Sequence, residues 1–382
     1  MDYKLKHLFG LLTLGFIGVL VSCRGNKQTS GMETEFTPVD TIFYDANLDT
    51  LYPGQICGIQ WLSLKGSEDG IFKGISKLYV NDSLMVVVDK SPCTVAAFTL
   101  QGELLYKLNE RGQGPAEYLE LAAATVTDSL IYIVDNYSHR IQRYALSDGS
   151  YAGAISLPFV ARDIEAFSDN DFLFTCMASH PNSQIIPKPI DFAVWRTDSA
   201  MEIKQTYLPL PENHYELIGK RVYFVKDNQG NINFHFYEYP GYFTFTPNNE
   251  LQYHHISFYN GIPAEENLDY DQVNEKGYAY LSETPHVYND KWCATISEGQ
   301  YAYPMIGLNA TKEIVRNSQY STNNLVFNIV GVNNSGFIGS ITDNYTLYQN
   351  MIEHGFPSAD SITERHIENG CTALIFYRLC QD

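Results

Sequence analysis

Asn81-Asp82-Ser83-Leu84-Met85-Val86-Val87-Val88-Asp89 returns as Val126-Thr127-Asp128-Ser129-Leu130-Ile131-Tyr132-Ile133-Val134-Asp135. Each copy is a polar turn followed by an apolar, β-branched run that ends on Asp. Branched and aromatic side chains suit a pleated strand. A second apolar strand follows each copy, Val95 to Leu100 and Ile141 to Leu146. Then come a tight turn, Gln101-Gly102 or Asp148-Gly149, and a further strand. Glycine accepts the positive φ that such turns require. The unit is an antiparallel meander. Comparable runs start at Leu84, Leu130, Asp171, Ile232, Lys291 and Gly336, in steps of 46, 41, 61, 59 and 45 residues. A repeat of about 50 residues with insertions falls in the range of propeller blades. A lone meander exposes two edges and an apolar face, whereas copies stacked around an axis bury both faces. The expected fold is all-β, a six-bladed β-propeller of four-stranded antiparallel meanders. Seven blades are the alternative, because the run Thr372 to Leu379 could begin another. The early strand Ile56 to Leu64 and that last run have no complete blade of their own. Pairing them would close the circle and bring Cys57 near Cys371 or Cys380, where two buried thiols are the plainer reading and a disulfide is the alternative.

The chain has 382 residues, 45% of them hydrophobic and 18% charged, so it can bury a full core and is not a disordered acidic chain. Its 28 Tyr and 21 Phe favour strands. With 25 Lys+Arg against 44 Asp+Glu the net charge is -19, which argues against nucleic acid or anionic lipid as the main partner. Six cysteines besides Cys23 are widely spaced, with no Cys-x-x-Cys, so neither a zinc site nor a thioredoxin motif is supported. Cys176 and Cys293 sit in apolar strand runs and read as buried thiols.

The first segment reads as an address. Lys4 and Lys6 precede an apolar run from Leu8 to Val21. That run falls short of the roughly 20 residues of a membrane span and suits a secretory signal. It ends in Leu20-Val21-Ser22-Cys23, which resembles the bacterial lipobox. The resemblance implies cleavage after residue 22 and lipid on Cys23. Arg24 stands where an inner-membrane retention signal would carry Asp, so the expected location is the outer membrane of a Gram-negative envelope. Residues 23–37 read as a flexible tether, and 38–382 as the propeller domain.

Arg111-Gly112-Gln113-Gly114-Pro115-Ala116-Glu117-Tyr118 lies between the first two repeats. It resembles the Gly-x-Gly-Pro-x-Glu-Tyr stretch of a family of exported six-bladed propeller lipoproteins, related in architecture to NHL-repeat and TolB-like propellers. That family is largely uncharacterised, so the resemblance implies fold and location rather than chemistry. Read from its residues, the loop is first a structural turn. Gly112 and Gly114 permit unusual backbone angles, Pro115 stiffens the chain, and Glu117 and Tyr118 are suited to cap its amides or anchor it. A phosphate cradle is the sharper reading, but no Lys-Ser/Thr or helix follows. Arg111 is the candidate ligand contact of the loop.

No catalytic signature stands out. His254-His255, near His235 and Glu238, would point to opposite faces of a strand, whereas ligands on one face need a spacing of two. Neither His-Glu-x-x-His nor Gly-x-Ser-x-Gly occurs. Asp269-Tyr270-Asp271 lacks the remainder of a calcium loop. The insertions Pro181 to Pro189, Phe236 to Phe243 and Tyr278 to Tyr280 offer loops and aromatic rings for glycans or peptides. For any single ring, packing between blades is the plainer reading. Glu265, Glu266, Asp269 and Asp271 form an acidic face. Asp-Ser/Thr-apolar triplets at Asp40, Asp49, Asp82, Asp128, Asp198 and Asp360 resemble an O-glycosylation pattern of some envelope proteins and suit Asp-Ser turns equally.

The sequence therefore predicts a non-catalytic, lipid-anchored binding module that holds loops toward a glycan, peptide or protein. No cofactor beyond the lipid is expected. The alternative is a metal-assisted hydrolase or lyase with a divalent ion in the central funnel.

Overall fold

The computed structural model describes residues 36–45, 54–67, 72–176, 191–210, 222–236, 239–263, 268, 270–315 and 326–380. Cys23, the signal segment and all but the last residues of the tether lie outside them. So do the Pro181 to Pro189 loop, Asp49, Tyr237, Glu238, Glu265, Glu266 and Asp269.

Strands β1 (Asp40–Tyr44) and β2 (Ile56–Ser63) come first and join sheets completed later in the chain. The first repeat forms a four-stranded antiparallel sheet of β3 (Lys77–Val80), β4 (Leu84–Asp89), β5 (Thr94–Thr99) and β6 (Leu104–Leu108). The second contains β7 (Ala123–Val126), β8 (Leu130–Asp135), β9 (Arg140–Ala145) and β10 (Tyr151–Ser156). The third contains β11 (Asp163–Ser168), β12 (Asp171–Thr175), β13 (Phe192–Thr197) and β14 (Ile203–Pro209). Next come β15 (Phe224–Lys226), β16 (Ile232–Phe234), β17 (Gly241–Phe245) and β18 (Leu251–Phe258), then helix α1 (Tyr270–Glu275) and β19 (Ala279–Leu281). They are followed by β20 (His286–Tyr288), β21 (Lys291–Glu298), β22 (Tyr301–Leu308) and β23 (Glu313–Val315). β1 lies parallel to both β18 and β23 and fuses these two antiparallel runs into one ten-stranded sheet. The last sheet takes β24 (Ile329–Asn333) and β25 (Gly336–Ile341), passes through helices α2 (Tyr345–Glu353) and α3 (Ser361–Glu368), and continues with β26 (Ala373–Leu379). Its fourth strand is β2.

The continuous apolar runs follow from burial on both sheet faces. Successive side chains of a strand point to opposite faces. In β4, Val86 and Val88 pack with Ile131 and Ile133 of the second sheet, while Met85 and Val87 pack with Ile338 and Leu374 of the last. In β8, Ile131 and Ile133 face back toward the first sheet, while Tyr132 and Val134 face Phe172 and Phe174 of the third. Each sheet is thus the middle layer of a sandwich. Fully burying such a side chain contributes about 1.5–3 kcal/mol.

The first strand of each meander stands at the axis. β24 lies against β3, β7 against β11, β11 against β15, β15 against β20 and β20 against β24. The Tyr79 hydroxyl, 3.1 Å from the Ala124 carbonyl, completes the circuit between β3 and β7. This is a propeller. Gly331 allows the approach of β24 to β3, since a Cβ there would sit 2.7 Å from the Leu78 carbonyl oxygen.

Ring closure joins the two ends of the sequence. β2 pairs with β26 from Ile56↔Leu379 to Ser63↔Ala373. Cys57 and Cys380 form a disulfide across it, with Cα atoms 5.0 Å apart, while Cys371, Cys93, Cys176 and Cys293 are buried and outside any disulfide. The run Thr372 to Leu379 completes this sheet rather than beginning another. The helices between β25 and β26 were not expected from the sequence. Each is short and started by a polar cap: Asn344 accepts from the Leu347 amide, and Asp360 from Ile362 and Thr363. They cover Trp61, whose Nε1 donates to the Pro357 carbonyl at 2.8 Å and whose ring meets Tyr348 edge-on.

The disulfide spans 323 residues of chain. Replacing Cys57 and Cys380 together by Ser is expected to lower unfolding free energy by about 2–5 kcal/mol, read by urea denaturation, because the open chain gains entropy when unfolded. An unchanged midpoint would mean that strand pairing alone holds the ring closed.

Candidate functional site

The sequence directs attention first to the loop 111–118. Its groups are turned onto the protein. The Glu117 carboxylate accepts from the Gly114 amide at 2.7 Å. A Cβ on Gly112 would fall 2.0 Å from Glu117 Oε2, so any larger residue there would have to push this carboxylate aside. Arg140 and Gln142 donate to the Glu117 carbonyl, and the Tyr144 hydroxyl to that of Ala116. Tyr118 is fully buried, and its hydroxyl lies 2.7 Å from the Cys93 carbonyl and 2.9 Å from that of Leu108. Burial, followed by neighbouring Tyr144, raises its pKa far above the ordinary phenol range. Pro115 and Arg111 are exposed, and an Arg111 nitrogen reaches the Leu119 carbonyl at 3.4 Å. The loop fastens the first sheet to the second.

The Val-Asp strand endings have a related task. Asp89 accepts from the amides of Lys73 and Gly74, and Asp135 from that of Leu119. In both repeats this buried carboxylate receives the chain as it approaches the axis. The His group does not assemble into one site. His254 Nδ1 lies 3.0 Å from Asp40 and its ring stacks on Tyr242, His255 meets the Tyr253 hydroxyl, and His235 meets the Gly241 carbonyl. Among the described residues no three His, Cys, Asp or Glu side chains gather within ligating reach of a metal ion. Of the insertion rings, Phe236, Tyr242, Phe243 and Tyr280 are buried, and Tyr278 carries the Lys276 ammonium over its face.

The chemistry lies instead at the axis, where a cavity of about 220 Å³ runs between the innermost strands. Turns ring one end: Asn81, Asp128, Asn228, Asn333 and Asn334. The loop 111–118 leads into the opposite end of β7, so the structure does not bring it to this mouth. Below the turns, Val126, Val225, Val330 and Val332 line the wall. At the floor Lys77 Nζ stands 2.9 Å from Asp163 and 3.2 Å from Glu165. Tyr79 donates to Glu165 at 2.7 Å and Thr125 at 2.6 Å. Asp163 also accepts from the Tyr223 and Phe224 amides at 2.8 and 3.0 Å. Lys226 reaches Glu165 at 3.8 Å from the funnel side.

These contacts decide the ionisation. Burial opposes the Lys77 ammonium, but the Asp163 and Glu165 carboxylates outweigh it and hold its pKa above the ordinary value. Burial likewise opposes the Asp163 carboxylate, but Lys77 and Lys90 outweigh it and hold its pKa down. Burial and then Glu165 push Tyr79 well up. His286, on the funnel wall, is pulled down to about 4 by burial. The rim also stitches neighbouring sheets. Asn228 and Asn289 exchange two hydrogen bonds, Ser129 and Tyr132 donate to Asp169, and Tyr288 donates to the Asn334 carbonyl.

The fold and this axial funnel define a β-propeller with a polar central cavity. The chain belongs to the DUF4934 family, described as a domain of unknown function, whose model matches residues 59–368. Among solved structures, it is similar to a protein of Bacteroides fragilis NCTC 9343 described as exported. That match has TM-score 0.71 and 16% identity, over 89% of this chain and 100% of that one. It is also similar to a DUF4221 member from Bacteroides vulgatus, with TM-score 0.53 and 10% identity, over 86% of this chain and 99% of that one. Both show the fold alone. No curated protein matches the sequence.

Two outcomes follow from the funnel. Lys77→Met is expected to cost about 3–5 kcal/mol, because it strands two buried carboxylates. Adding Asp163→Asn and Glu165→Gln should recover most of that loss in denaturant melts. An equally unstable triple variant would show that Lys77 acts through packing. For His286, the unfolded chain takes up its proton near pH 6.5 and the folded one near 4. Unfolded molecules therefore bind more protons across that window, and stability falls as pH drops through it. His286→Gln should flatten this part of a stability-against-pH curve.

Proposed function

We propose that this chain is a lipid-anchored, six-bladed propeller of the outer membrane that binds a glycan, peptide or protein partner without transforming it. Six blades are supported by the circuit of innermost strands β3, β7, β11, β15, β20 and β24, each leading one meander. On this reading β1 straps the outer strands of the fourth and fifth blades together. The lipobox resemblance at Cys23 supports the anchor, and the structural likeness to a protein described as exported supports an envelope location.

The observation that carries the binding reading is the saturation of the funnel floor. Both Glu165 oxygens and both Asp163 oxygens already receive protons from Lys77, Tyr79, Thr125 or backbone amides. A general acid or base needs a free proton path to substrate, and these acids are committed to holding blades together. A rigid, polar, open cavity remains, suited to recognition.

The anchor is tested by intact mass of protein extracted from the envelope. A chain beginning at an acylated Cys23 is expected, and Cys23→Ser should move the protein to the soluble fraction. An unacylated amino terminus would overturn the anchor. Glycan and peptide arrays test the binding role. Turnover of an array compound, lost with chelator and restored by divalent ion, would replace it with the hydrolase or lyase reading.

A further inference from the structure

In the funnel the donors, rather than the acids of the floor, keep unused hydrogen-bonding capacity. Lys226 has a side chain 25% exposed, and among the described residues its ammonium meets only Glu165, at 3.8 Å. The Asn81 side-chain oxygen accepts from the Ser83 and Leu84 amides, both at 2.9 Å. That of Asn333 accepts from Ser335 at 2.8 Å and Gly336 at 3.1 Å. These bonds fix which end of each amide is oxygen. The NH₂ group is therefore directed away from its own turn in both residues, and neither has an acceptor among the described residues. Lys226, Asn81 and Asn333 come from three separate meanders and line the same cavity.

The acceptors are mostly committed. The floor carboxylates are saturated, and Asp227 accepts from the Gln229 and Asn231 amides and from the Asn231 side chain. Asp128 is the exception, exposed at the rim. A fitting ligand must bring acceptors. A carboxylate does so best, since charge-assisted hydrogen bonds are about twice as strong as neutral ones. The net charge of -19 disfavours anions at a distance. Screening beyond about 8 Å at physiological ionic strength leaves local pairing to decide.

We infer that the funnel mouth is a carboxylate-binding site, with Lys226 Nζ and the Nδ2 groups of Asn81 and Asn333 as its donors. This rests on the reading of the funnel as a binding cavity. At about 220 Å³ it admits a single small unit, below the roughly 300–1,000 Å³ of drug-sized pockets. Two sources supply that chemistry: the uronic acid end of a glycan and the terminal carboxylate of a peptide.

The test titrates the intact domain with glucuronate, N-acetylalanine and, as the neutral control, glucose, followed by NMR shifts of funnel residues. Saturable binding of at least one carboxylate is expected, and the preferred probe identifies the source. Lys226→Met should weaken it at least tenfold. Asn81→Asp and Asn333→Asp should do the same with little change in melting, because aspartate keeps the oxygen that each turn needs while replacing the donor with a negative charge. Wild-type affinity in all three variants would overturn the site, as would failure of both carboxylates to saturate. Glucose binding as tightly as glucuronate would also overturn it, yet leave the funnel standing as a binding cavity.

Discussion

A four-stranded meander with apolar residues on both faces has no stable existence alone, and this requirement organises the molecule. In β4 and β8 every interior position is buried, with alternate residues assigned to different neighbouring sheets. Each sheet must therefore find two partners. A linear stack would leave two apolar faces bare at its ends, and a closed ring leaves none. Closure in turn demands that the beginning and end of the chain share a sheet. The pairing of β2 with β26 and the Cys57–Cys380 disulfide meet that demand.

Ring geometry also explains why charge gathers at the centre. Innermost strands converge, and side chains directed at the axis have few neighbours of their own sheet to pack against. Lys77, Tyr79, Thr125, Asp163 and Glu165 fill this space with hydrogen bonds that cross from one sheet to the next. Such a network contributes little net stability, because desolvation offsets the attraction of the charges. Its geometric demand is strict: the carboxylate oxygens, the ammonium and the hydroxyls must meet at one spacing, which fixes how far each inner strand stands from the next.

Much of this architecture is legible in the sequence, because two-sided burial leaves a mark. The runs Leu84 to Asp89 and Leu130 to Asp135 are too continuously apolar for a sheet with one face in water. Turn glycines and Val-Asp endings recur at the blade spacing. The loop 111–118 is legible as structure because Gly112, Gly114 and Glu117 interlock locally. The axial network is not, since its members are contributed by three strands far apart in sequence. A faint signal existed: Lys77 opens Lys-Leu-Tyr-Val, and Glu165 sits within Asp-Ile-Glu-Ala-Phe, each a charge inside an apolar strand. Buried charges need partners, but sequence does not say which. Helices α2 and α3 were missed for a different reason. Nine and eight residues are too short for a clear helical period, and their stability comes from covering Trp61.

The funnel separates two roles that a list of polar residues would blur. Asp163, Glu165, Asp169 and Asp227 spend their oxygens on neighbouring strands and turns, and so belong to the scaffold. Asn81 and Asn333 divide their function within one side chain: the oxygen stabilises a tight turn, and the nitrogen is left over. A turn that needs only an acceptor is served equally by Asp, as Asp148 and Asp198 show at other turns of this chain. In a protein this rich in acids, asparagine at the two funnel turns therefore adds something the turn itself does not require. What it adds is an outward donor, with no charge added to those that Asp128, Glu165 and Asp227 already bring to the funnel, and both favour an incoming anion.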